Sequence, residues 1–215
     1  MKMGEGAAGP TQDDCGEDLE ISSIRMLELR HRIKNLLAIT QAVANQTLRS
    51  GRTIEEARVA LDGRLAAMGE AVDMLLHTGW TAASLRELIA RSLLQADPRI
   101  AVAGPELVLG PDAAMALTLV LHELESNSLK YGALSAAEGK VAIRWWVETE
   151  EGAQCLRFTW LERGGPPCSP PTRKGFGSRM TSRLIGGPLR GRVEADYPPE
   201  GLAWRLTAPL ETMTA

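Results

Sequence analysis

Residues His122 to Gly132, reading HELESNSLKYG, decide how the second half of this chain folds and what it could hold. They end a segment opened by Asp112 in which Ala116, Leu119, Val120 and Leu124 recur at helical spacing, which predicts a helix from Asp112 to Tyr131. Glu123 and Asn127 lie one turn apart on it, and Lys130 follows three residues later. A carboxylate and an amide oxygen on one face suit a hard magnesium ion, directly or through water. A lysine just beyond them suits a phosphate. The same residues also match the solvated side of an ordinary amphipathic helix, and this segment alone does not separate the two readings.

Working outward, the C-terminal side alternates between strands and glycine-marked joints. Lys140 to Glu148 and Gln154 to Glu162 read as strands joined at Glu150-Glu151-Gly152, and Gly191 to Tyr197 with Gly201 to Leu210 as a final hairpin. Between them, Glu162-Arg163-Gly164-Gly165-Pro166 ends a strand and Gly175-Phe176-Gly177-Ser178 opens a helix running to about Ile185. Glycines at such joints let backbone approach a nucleotide, and helix N-terminal amides favour phosphate. Glu162, emerging at a strand end, is placed to accept a hydrogen bond from an adenine amino group. On the other side, Ser84 caps a short helix from Leu85 to Ala96, followed by strands at Ile100 to Ala103 and Leu107 to Leu109. The pattern predicts an α+β sandwich, an antiparallel or mixed sheet with helices on one face.

The first third is helical. In LELRHRIKNLLAITQAVANQT, Leu27 to Thr47, the stripe Leu29, Ile33, Leu36, Thr40, Val43 and Thr47 holds one direction. His31 falls about 160° from its centre, a position that leaves an imidazole free for chemistry. The helix is expected from Asp18 to about Arg49. Thr53 then caps a second helix, with Glu55 and Glu56 in its first turn, whose buried side is Ala57, Ala60, Leu61, Leu65, Met68, Val72, Leu75 and Leu76. Thr78-Gly79-Trp80 ends that helix near His77. One helical hairpin cannot cover both its stripes, whereas two hairpins form a four-helix bundle, so a homodimer is the default expectation, with packing of the hairpin on the second domain as the alternative.

Composition narrows the function classes. The chain has 215 residues, 44% of them hydrophobic, which suffices for one or two modest cores. A formal net charge of −3 and 4% aromatic content fit poorly with nucleic-acid binding, and no run approaches a membrane span. Cys15, Cys155 and Cys168 form no CxxC pair, which suits a reducing cytoplasm and gives no zinc motif. The acidic, Gly-rich residues 1–20 read as a disordered leader without the apolar core of a signal peptide.

Taken in order, these motifs resemble the HWE class of histidine kinases, within the gyrase, heat-shock-chaperone, histidine-kinase and mismatch-repair ATPase superfamily. The acceptor box RHRIKNLLAITQ (30–41), the pair His122-Glu123, and Trp160-Leu161-Glu162 carry the resemblance, extended by GALS (132–135), GGPP (164–167) and KGFGSR (174–179). It covers roughly residues 25 to 211. It implies a dimerisation and phosphotransfer domain over 21–80 and a catalytic ATP-binding domain of Bergerat type over 81–215. His31 would be the autophosphorylated residue, Glu123 the acid of the nucleotide box and Asn127 the magnesium ligand. Lys130 and Tyr131 would lie beside the phosphates, Glu162 would contact adenine, and Gly164, Gly165, Gly175 and Gly177 would border the nucleotide. ATP and Mg2+ are the implied cofactors, and the receiver domain of a response regulator is the implied partner.

Two departures from the family pattern stand out. Glu125 and Ser126 occupy positions that are usually small. Input must also come from elsewhere, either a longer chain or a separate sensor protein, since about twenty leader residues cannot fold into a sensory domain. Arg32 follows His31 where many histidine kinases carry an acid; Glu28, one turn earlier on the same face, is the candidate to orient the ring or take its proton. The rival readings are a phosphotransferase that has lost ATP binding and a binding module that sequesters a partner.

Overall fold

Three features of the chain's chemistry, a capped helix, a two-residue hairpin and a strand-ending proline, set its main element boundaries. The computed structural model describes the backbone of residues 12–48, 53–93, 97–170 and 183–215, and their side chains except at 12–25 and 28. By internal contacts the chain forms two units, Met1–Asn45 and Gln46–Ala215.

The first unit holds most of helix α1, Gln12–Leu48, which begins earlier than Asp18. His31 is solvent-exposed, as its position off the stripe requires. Leu29, Ile33 and Leu37 of the same helix are also about half exposed, at 51%, 49% and 57%.

In the second unit, helix α2 spans Ile54–His77. Thr53 Oγ1 accepts from Glu56 N at 3.2 Å, and Glu56 Oε2 accepts from Thr53 N at 2.9 Å. This reciprocal box satisfies two otherwise orphaned amides, an arrangement worth about 1 kcal/mol. The buried side of α2 keeps Ala57, Met68 and Leu75 of the expected one and turns away from the rest. Ala57, Arg64, Met68, Ala71 and Leu75 are buried, whereas Leu65 and Leu76 are exposed. The true stripe passes through Arg64, and a reading that rejects arginine as a core residue shifts to its neighbours. The helix ends through Thr78 N and Trp80 N, both donating to Leu75 O, with Gly79 and Trp80 at positive φ. His77 Nδ1 lies 2.7 Å from Asp73 O, a plain C-terminal contact.

Strand β1 (Ala83–Ser84) pairs antiparallel with β3 (Val108–Leu109). Helix α3, Leu85–Ser92, is capped by Ser84 as expected and ends before Leu93; residues 94–96 of the expected span lie outside the described residues. Leu93 turns extended, with ψ 156°, and so leaves the helix. Strands β2 (Ile100–Ala103), β4 (Lys140–Glu150), β5 (Ala153–Arg163), β6 (Arg192–Asp196) and β7 (Ala203–Pro209) form a sheet in the order β2-β4-β5-β7-β6. Only β2 and β4 run parallel. The β4–β5 hairpin closes on Glu151 and Gly152, at φ 50° and 85°, the two positive values that such a tight turn demands.

Alternation along the central strands directs Val141, Ile143, Trp145, Leu156, Phe158 and Trp160 to one buried face. Phe158 meets Trp204 edge-on, with ring centroids 6.1 Å apart. Helix α4, Pro111–Tyr131, is almost wholly buried over Ala113–Leu121. The observed architecture is therefore the expected α+β sandwich. A last short helix, α5 (Leu210–Thr214), lay outside the expectation; Pro209 ends β7, and Gly110 N donates to Met213 O. No described helix is long and apolar enough to cross a membrane.

Candidate functional site

Helix α4 carries the residues that the sequence singled out, but its two ends do different things. At its C-terminal end, Gly132 N donates to Ser128 O at 3.0 Å and the chain turns into a 3-10 segment, Ala133–Ser135. Glu162, near the end of β5, reaches this turn: its Oε2 accepts from Ala133 N at 2.7 Å, while its Oε1 accepts from Trp160 Nε1 at 2.9 Å. Glu162 is only 5% exposed, and no described lysine or arginine forms an ion pair with it. A buried carboxylate without a cation is costly to retain, and its remaining lone pairs point to a ligand donor.

Gly132 and Gly165 let the backbone close on this group. A Cβ at Gly132 would lie 2.1 Å from Glu162 Oε2, and one at Gly165 would lie 2.8 Å from Ala133 N. Gly164 takes φ +73° beside them. The structure thus brings Glu162, Gly164, Gly165 and the Tyr131–Ala133 turn into one cluster. Lys130 and Tyr131 are exposed at its edge, and Asn127 is exposed one turn earlier on α4. Gly175 and Gly177, with the helix expected from Phe176, fall outside the described residues apart from a helical stretch at 183–186.

Glu123 lies about 13 Å further back along the helix axis, and it faces α2 rather than this cluster. Arg64 Nε donates to Glu123 Oε1 at 2.6 Å and Arg64 Nη2 to Oε2 at 2.9 Å. Arg64 Nη1 donates to the buried Thr47 Oγ1 at 3.1 Å. This bidentate pair is nearly sealed, with side chains 3% and 10% exposed. Sequence reasoning missed Arg64. The signal that could have found it is an arginine on the periodic apolar side of a helix, which demands a buried partner. His122, next to Glu123, packs over Gly63 of α2, where a Cβ would come 3.1 Å from its Nε2. Burial pushes the His122 pKa below its ordinary 6.5, against an opposing pull from Glu123. Glu125, which breaks the family pattern, is buried.

The residues present fit an adenine nucleotide with magnesium. Glu162 supplies a buried acceptor packed against glycine backbone, and Asn127 is an exposed amide residue. One protein oxygen is enough for a hard ion that takes its other ligands from phosphates and water. His31 belongs to the other unit, where it is exposed, and the side chain of Glu28 lies outside the described residues.

The HWE histidine kinase family model matches residues 28–106. A blue-light-activated histidine kinase of Brucella anthropi is 37% identical over 187 residues, covering 85% of this chain and 38% of the relative; its Brucella ovis counterpart is 34% identical over the same span. The chain thus spans well under half the length of these curated relatives. Among solved structures, the histidine kinase domain of a blue-light-activated histidine kinase from Erythrobacter litoralis matches with a TM-score of 0.52 at 14% identity, covering 84% of this chain and 96% of that one. The longer structure of that kinase gives 0.56 at 17% identity over 86% of this chain and 59% of that one. At such identity these two establish the shared fold.

Proposed function

From its membership of the HWE histidine kinases, to which the chain belongs by motif order, fold and relatives, we propose that it transfers the terminal phosphoryl group of ATP to His31. The group then passes to an aspartate of a response-regulator receiver domain. The observation that carries this reading is the buried Glu162, without an ion pair among the described residues, beside the glycine-closed turn at the end of α4, a seat suited to an adenine amino group.

In the transfer, a neutral ring nitrogen of His31 attacks the γ-phosphorus as the bond to the ADP oxygen breaks, and ADP leaves with that electron pair. The proton released from the imidazole goes to a carboxylate, Glu28 or Glu123. Magnesium, held by Asn127 and the nucleotide, would neutralise charge on the phosphates. Lys130 and Tyr131 stand at the phosphate side of the cluster. Glu123 is sealed against α2 by its pair with Arg64, so its participation requires that pair to open. Rotation about Gly79-Trp80-Thr81 would part α2 from α4 and release it. The exposed apolar residues of α1 support a homodimer in which two helical hairpins cover one another.

Incubation with γ-labelled ATP tests the reading. Acid-labile, alkali-stable label should appear on the chain and vanish in His31→Ala, with nucleotide binding retained. Label that persists in His31→Ala would place the acceptor elsewhere.

A further inference from the structure

We propose that Trp160 is a positioning residue for base recognition: its indole N–H sets the carboxylate of Glu162 in the orientation that selects adenine. The inference rests on the reading of Glu162 as the adenine contact and goes beyond it by naming what gives that contact its selectivity. Residues two apart on a strand share a face, so Trp160 and Glu162 of β5 both point to the buried side of the sheet. Trp160 is fully buried. It donates Nε1–H to Glu162 Oε1 at 2.9 Å, while Ala133 N–H holds Oε2 at 2.7 Å.

Two donors of fixed direction, one on each oxygen, define both the position and the plane of the carboxylate. The Ala133 donor belongs to backbone at the end of α4, and the indole belongs to the sheet core, so the carboxylate is pinned between two rigid elements. Gly132 leaves no room for the carboxylate to swing toward α4, since even a Cβ there would sit 2.1 Å from Oε2. Among large apolar side chains only tryptophan combines a core-filling ring with a donor at this reach. Phenylalanine fills the core without supplying the N–H. Tyrosine would place its hydroxyl on a different axis. The spacing Trp-x-Glu is therefore one device.

A carboxylate fixed in this way accepts from the 6-amino group of adenine and opposes the 6-oxo group of hypoxanthine, acceptor against acceptor. Released from the indole, it can turn, and its discrimination relaxes.

The test is calorimetric titration of the full 215-residue chain with ADP and with IDP, in the wild type, Trp160→Phe and Glu162→Gln. The ratio of the two affinities is read within each variant, so partial loss of folded protein cancels. The wild type should prefer ADP by at least about ten-fold, in line with a hydrogen bond to a charged group. In Glu162→Gln that preference should collapse, because the amide can donate to the 6-oxo group. Trp160→Phe should lower the ratio by about ten-fold, chiefly through weaker ADP binding. Should the smaller ring leave the sheet unfolded, the benzothienyl analogue of tryptophan at position 160 keeps the ring volume without the N–H and serves the same comparison. A ratio within two-fold of wild type in either Trp160 variant, with the ratio lost in Glu162→Gln, overturns the positioning role. A wild type that does not discriminate, or a Glu162→Gln that discriminates as well as wild type, removes the Glu162 reading and the proposal with it.

Discussion

At the scale of single residues, Arg64 and Glu162 show opposite solutions to burying charge. Glu123 is matched by a guanidinium in bidentate geometry, whereas Glu162 is held, among the described residues, by an indole and a backbone amide. The first solution is structural in the arrangement seen, and removing one partner leaves a sealed, unpaired charge. Arg64→Ala should therefore cost about 3–5 kcal/mol in urea denaturation, while Arg64→Met combined with Glu123→Leu should recover most of it. A loss below about 1 kcal/mol for the single variant would mean that the pair is open in solution. Arg64 also marks the limit of reading the sequence. His31, Asn127 and Glu162 are visible from spacing and motif order, because helix and strand periodicities place them directly. The partner of Glu123 lies 59 residues away in sequence, and only packing of α2 on α4 reveals it.

At the scale of elements, the five strands of the larger sheet and α4 were legible because alternation and turn chemistry are local, whereas the two-residue strand β1 is too short to carry a pattern. The 140–150 and 153–163 strands meet across a two-residue turn whose glycine announces it. The buried side of α2 and the helix α5 were less so, since both depend on which neighbour covers them. The contact between α2 and α4 also governs His122. Its folded pKa lies below 6.5 because burial disfavours the imidazolium. The unfolded chain therefore takes up the proton first as pH falls, so the contribution is nil above pH 6.5 and becomes a loss of stability below it. Chemical denaturation at pH 7.5 and 5.5 should show a larger drop for the wild type than for His122→Gln. Equal drops would show that His122 protonates as readily folded as unfolded.

At the scale of the whole molecule, the proposed transfer requires the nucleotide site proposed in one unit to serve the acceptor proposed in the other. The helix that carries the acceptor exposes Leu29, Ile33 and Leu37, the apolar surface a second hairpin would cover. Light scattering should accordingly find a dimer, and Leu29→Glu with Ile33→Glu should shift it toward monomer while ADP binding persists. A wild type that scatters as a monomer at micromolar concentration would remove the dimer from the account.

The most direct test of the central claim is mass spectrometry of the ATP-treated chain under conditions that preserve nitrogen–phosphorus bonds. The account predicts one phosphoryl group on the imidazole of His31, formed only with magnesium present. An unmodified His31 in protein shown to have nucleotide bound would contradict it.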